Sequence, residues 1–92
     1  MRNRKSVAVE RQPPEEAFGL LSNNLRVNIV RALGEAEEPL SFSTLREGMD
    51  VRDSGKFNYH LGKLGGHFVT KNEAGYSLSL AGMQVYGSIQ SG

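Results

Sequence analysis

The sequence predicts a mainly α-helical domain with one small β-hairpin near its C-terminal end. Three observations carry that expectation. Apolar residues recur at helical spacing around Leu25–Leu33, again around Phe57–Leu64, and again around Met83–Ile89. Strict alternation occurs at Tyr76, Leu78 and Leu80, beside a connection that contains Gly75. With 92 residues, the chain has room for one domain and one modest core.

In order, Met1 to Gln12 has no sustained periodicity and reads as a flexible basic arm over residues 1–12. Pro13-Pro14 closes it and opens a domain over residues 13–92. A first helix is expected next, with Glu15 and Glu16 near its positive end and Phe18, Leu20 and Leu21 available for burial. Asn23 can cap a second helix from Asn24 to about Gly34, where glycine is a natural stop. Leu25, Ile29, Ala32 and Leu33 form its apolar stripe. Leu40-Ser41-Phe42 is too short to stand alone but can add a small strand to a sheet. Ser43 to Gly48 reads as a short helix with Ser43 as cap and Leu45 and Met49 turned inward. A brief turn, Asp50-Val51-Arg52, then leads into the most informative stretch of the chain.

That stretch is a helix over about residues 53–65, capped by Asp53. On a wheel of about 100° per residue, Phe57, Leu61 and Leu64 fall within about 40° of one another and make an apolar seam. Gly55, Tyr59 and Gly62 lie opposite, with Lys56 and Lys63 on one flank and Asn58 on the other. Each glycine costs a helix about 1 kcal/mol against alanine. Two of them beside a tyrosine suit a face that something must approach closely. Beyond it, Phe68 to Asn72 and Tyr76 to Leu80 flank Glu73-Ala74-Gly75 as a hairpin over about residues 68–80. A last helix runs from about Leu80 or Ala81 to Gln90, with Ser79 as cap.

Composition narrows the function classes. There is no cysteine, so disulfides and thiolate metal sites are excluded. This fits a reducing, cytoplasmic setting, and no apolar run approaches the length of about 18 residues that a membrane span needs. The formal net charge of +1 hides an uneven distribution. Arg2, Arg4, Lys5 and Arg11 face one Glu10 in the arm, and Arg52, Lys56, Lys63 and Lys71 face one Asp53 around the central helix. The acidic residues concentrate between Pro13 and Asp50. No glycine-rich phosphate loop, nucleophile elbow or HExxH pattern occurs, so the sequence does not read as an enzyme.

Helix, helix, short strand, two helices on a tight turn, hairpin and helix is the order of a winged helix-turn-helix. The residues also resemble a family. Phe18-Gly-Leu-Leu-Ser-Asn-Asn-Leu-Arg-Val-Asn-Ile-Val30 is similar to the opening of ArsR-like regulators, with Arg26 as the matching arginine. Asp53-Ser-Gly-Lys-Phe-Asn-Tyr-His-Leu61 and Gly75-Tyr-Ser-Leu-Ser-Leu-Ala-Gly82 resemble archaeal members of that winged-helix group. The resemblance covers about Glu15 to Gln90. It implies a transcriptional regulator that binds double-stranded DNA sequence-specifically, with the helix of residues 53–65 in the major groove and the hairpin on the backbone. Metal-sensing relatives carry cysteines near the segment matching Leu40 to Leu45. This chain has none, so metal sensing is not implied. Some relatives carry a further C-terminal domain, which a longer parent chain would add here.

The expected DNA-facing residues are Ser54, Gly55, Lys56, Asn58 and Tyr59 in the groove, with Arg52, Lys63 and Lys71 on phosphates and Asn72 at the hairpin tip. The alternative is a winged helix used for protein–protein interaction, which Glu73 at the tip would suit. His60 and His67 are seven residues apart, but His60 lies about 60° from the apolar seam and is expected to be a partly buried structural residue, with no metal and no cofactor. Met83, Val85, Tyr86 and Ile89 spread over more than one side of the last helix and are expected to hold a homodimer.

Overall fold

The computed structural model describes residues 19–91, so the expected arm, Phe18 and the start of the first helix lie outside the described residues. Gly19 and Leu20 are helical. There follow α1 (Asn24–Glu35), α2 (Phe42–Met49), α3 (Ser54–Leu64), β1 (Val69–Asn72), β2 (Gly75–Leu78) and α4 (Leu80–Ser91). The molecule is mainly helical, with α2 and α3 as the helix-turn-helix and the two strands as its wing. Among the described residues no helix is long and apolar enough to cross a membrane.

Asn23 caps α1 as expected, its Oδ1 accepting from the Leu25 and Arg26 amides at 2.8 and 3.3 Å. Gly34 does not stop the helix, which continues to Glu35 and gives way to extended backbone at Ala36. The glycine serves packing instead: a Cβ there would collide with the Tyr86 ring of α4. Helix α2 begins earlier than the sequence suggests because Ser41, not Ser43, is the cap. Its Oγ accepts from the Thr44 amide at 3.1 Å. Leu40-Ser41-Phe42 is therefore not a strand. Only Leu40 reaches the sheet, through one antiparallel bridge in which it and Tyr76 exchange hydrogen bonds of 3.0 and 2.8 Å.

Asp50 ends α2 in the left-handed region, with φ 58°. Arg46 Nη1 then donates to the Val51 carbonyl at 3.1 Å and ties the turn back to its own helix. Asp53 caps α3, its Oδ1 accepting from the Lys56 amide at 3.0 Å. In the wing, Asn72 pairs with Gly75, so the turn is Glu73-Ala74 and Gly75 already belongs to β2. Glycine is required there by its φ of 130° and by the Leu40 carbonyl oxygen, which lies 2.6 Å from where a Cβ would sit. Ser79 caps α4, accepting from the Gly82 amide at 3.0 Å while donating to the His67 carbonyl at 2.6 Å. Leu80 leaves the strand alternation because it is the first residue of this helix, and it is 79% exposed.

The core joins Ile29, Val30 and Leu33 of α1, Leu45 of α2, the Phe57–Leu61–Leu64 seam, and Phe68, Val69 and Leu78 of the wing base. Val30 was not in the expected stripe, whereas Leu25 and Ala32 are only partly buried. Phe57 is the largest fully buried side chain and meets Phe42 edge to face, with centroids 5.3 Å apart. Burying such a ring contributes about 2–3 kcal/mol. That anchor fixes which side of α3 faces out.

Candidate nucleic-acid interface

With Phe57, His60, Leu61 and Leu64 buried, α3 presents Ser54, Gly55, Lys56, Asn58, Tyr59, Gly62 and Lys63 to solvent. Tyr59 is the most exposed aromatic ring among the described residues, at 57%. Lys63 Nζ stands 5.6 Å from its centroid, a cation–π arrangement that holds the ammonium beside the phenol. Among the described residues, packing requires neither glycine of this face to be glycine. A Cβ on Gly62 would meet nothing within 4 Å, and one on Gly55 would touch only Asp53 Oδ1 at 3.4 Å.

The wing continues this face. A hollow of about 320 Å³ separates α3 from β1, with Leu61 and Val69 at its apolar base and Asn58, Gly62, Thr70 and Lys71 around it. Lys71 Nζ lies 5.4 Å from the centroid of Tyr76, its cross-strand partner. The exposed Thr70 hydroxyl lies 3.3 Å from Ser77 Oγ on the neighbouring strand. The structure therefore brings Asn58 and Lys71 to one concavity. Arg52 is exposed just ahead of the Asp53 cap, at the other end of α3. At the tip, Asn72 Oδ1 accepts from the Ala74 amide at 2.8 Å. Glu73 beside it is exposed, so the tip itself is acidic.

His60 is buried on the inner side of α3, as its position near the seam suggests. Its Nδ1 accepts from Arg26 Nε of α1 at 3.0 Å. Burial, then the nearby Arg26 and Lys56 charges, hold its pKa below the ordinary value of 6.5, so the ring is neutral near pH 7. Arg26 Nη1 also reaches the Leu20 carbonyl at 3.5 Å. This polar link positions α3 on α1, and nothing in the sequence announces a partnership across 34 residues. Among the described residues no group of three His, Asp or Glu side chains converges to hold a metal ion.

The residues expected to pair two copies divide. Val85, Tyr86 and Ile89 are half-buried and pack against the domain's own core. Met83 is 56% exposed. It shares the outer side of α4 with Leu80 and Gly87, which follow the i, i+3, i+7 spacing of one stripe. Leu80 and Gly87 were not among the expected interface residues. Gly87 resembles Gly62 in having nothing within 4 Å of a hypothetical Cβ.

Fold and surface together define a small helical domain with a helix-turn-helix and a two-stranded wing, whose exposed face runs from α3 onto β1. Residues 14–89 match the family described as a Domain of unknown function (DUF7347), and the chain belongs to that family. It matches no curated protein and no solved structure.

Proposed function

We infer that this domain is a sequence-specific double-stranded DNA-binding regulator acting in the cytoplasm, with α3 entering the major groove. The observation that carries the reading is the outer face of α3. It combines two glycines that packing does not require, an exposed tyrosine, an asparagine and two lysines. A glycine face lets a helix backbone sit deep in the groove, while Asn58 and Tyr59 reach base edges and Lys56, Lys63 and Lys71 neutralise phosphates. The wing would meet the duplex by the Lys71 side of β1, since Glu73 would be repelled from phosphates at close range. Arg52 lies near the opposite flank.

Binding to genomic fragments across a salt series tests this. Affinity should fall steeply with salt, and Lys63→Ala should reduce that slope by about 1 per protomer while weakening all sequences alike. Tyr59→Ala and Asn58→Ala should weaken the preferred site more than random DNA. Unchanged affinity in all three variants would remove α3 from the groove.

Two-fold pairing fits the same reading, because one small domain covers few base pairs and a palindromic site supplies the rest. The uncharged outer stripe of α4, with Leu80 and Met83 exposed, is the surface that favours it. It equally favours the rival reading, a winged helix that binds another protein. Sedimentation at micromolar concentration separates them: a dimer broken by Met83→Glu supports pairing, and a wild-type monomer sinks it. Tyr86→Glu is an unsuitable control, since that ring packs on Gly34 within one chain.

A further inference from the structure

A second concavity of about 410 Å³, with no α3 residue in its lining, opens between the end of α1, strand β2 and α4. Its size falls in the range of about 300–1,000 Å³ typical of small-molecule sites. Leu33, Leu78, Met83 and Tyr86 give it an apolar lining, and Tyr86 brings an aromatic ring. Glu37 and Glu38 stand at its edge, both exposed. Among the described residues its lining includes no Lys or Arg. The last turn of α1, which ends here, also lacks a basic residue. The negative end of that helix therefore adds to the carboxylates rather than being offset.

Apolar walls, an aromatic ring and a negative field together select one ligand chemistry. An anion is repelled, and a small hydrated cation gains nothing from the walls. We propose that this concavity binds a lipophilic organic cation, its apolar body against Leu33, Leu78 and Met83 and its charge toward Glu37, Glu38 and the Tyr86 face. The site does not depend on the DNA-binding reading, because it shares none of the proposed DNA contacts. It does touch the wing, since Ser77 and Leu78 of β2 form one wall.

The probe is tetraphenylphosphonium, titrated into the full chain by calorimetry and by amide chemical shifts. One-to-one binding is expected, with shifts concentrated at Leu78, Met83 and Tyr86. Triphenylphosphine oxide, similar in its aryl groups but uncharged, should bind about tenfold more weakly. Replacing Glu37→Gln and Glu38→Gln together should weaken the cation about fivefold and leave the neutral compound unchanged, a response that loss of folding would not produce. Absence of binding at millimolar cation would overturn the proposal. So would equal affinity for the two compounds, indifference to the double substitution, or shifts confined to another surface. A chain that sediments as a dimer and excludes the cation would give the concavity to a second copy, and that too would overturn it.

Discussion

Helices α3 and α4 are close in length and each carries two glycines, yet the glycines are there for different reasons. On α4, Gly82 lies beneath the Phe68 carbonyl oxygen, so close that a Cβ has no place. Gly34 of α1 is of the same kind, its missing Cβ filled by the Tyr86 ring. On α3, Gly62 faces open space and a Cβ on Gly55 would meet only Asp53 Oδ1, at ordinary contact distance. The first kind is explained once the fold is known. The second costs helix stability and receives no packing from the described residues in return. Gly87 extends the contrast to the outer side of α4, where it stands with exposed Leu80 and Met83 rather than with charge.

The contrast breaks most visibly at Gly82. Its Cβ would meet backbone, which cannot swing aside as a side chain can. Gly82→Ala should therefore destabilise the domain by about 3 kcal/mol, read as a lower midpoint in thermal or denaturant unfolding. Loss of less than about 0.5 kcal/mol would mean that α4 can shift on the wing base, and the tight seat described for it would be wrong.

Gly62→Ala sharpens the other half. With nothing near the new methyl group, the substitution should stabilise the helix by about 1 kcal/mol. Binding to the preferred DNA site should nevertheless fall about tenfold or more, because the backbone could no longer approach as closely. A variant that is more stable yet binds as well as wild type would show that the open glycines of α3 do not serve a close approach.

Much of the fold is legible in the sequence because local chemistry and burial agree there. The Phe57–Leu61–Leu64 seam follows from spacing and the Asn23, Asp53 and Ser79 caps from residue type, while the hairpin forms although burial along β2 does not alternate. The errors fall where two residues compete for one role. Ser41 and Ser43 are both plausible caps two residues apart, and the bridge from Leu40 to Tyr76 decides for Ser41 by placing the chain just before it. Gly34 looks like a helix stop because glycine has two uses, and only the position of Tyr86 distinguishes them. The exposed residues of α3 follow directly from its seam. The concavity that joins Asn58 to Lys71 does not, since it depends on how β1 packs against the helix. Nor does β1 mark Thr70 by alternation, since Thr70, Lys71 and Asn72 are all exposed after the buried Val69.

The inner sides of the two helices differ as well, and acid should reveal it. Helix α4 is uncharged throughout, whereas α3 turns His60 inward to accept the Arg26 hydrogen bond at 3.0 Å. The folded chain holds His60 below its ordinary pKa of 6.5, through burial first and the Arg26 and Lys56 charges second. Below about pH 6.5 the unfolded chain thus binds a proton that the folded chain resists. The stabilisation is complete above that pH and is lost as pH falls through the folded value. Protonating Nδ1 also removes the lone pair that Arg26 uses, so the link between α1 and α3 should open first. Amide hydrogen exchange between pH 7 and 5 should speed up in α3 before it does in α4, after correction for the intrinsic pH dependence of exchange. His60→Gln should cost about 1 kcal/mol at pH 7, the scale of one imperfectly replaced hydrogen bond, and should flatten the acid-side loss. If the variant keeps the wild-type pH dependence, His60 is not the group that titrates, and the difference between the two inner faces has no consequence in acid.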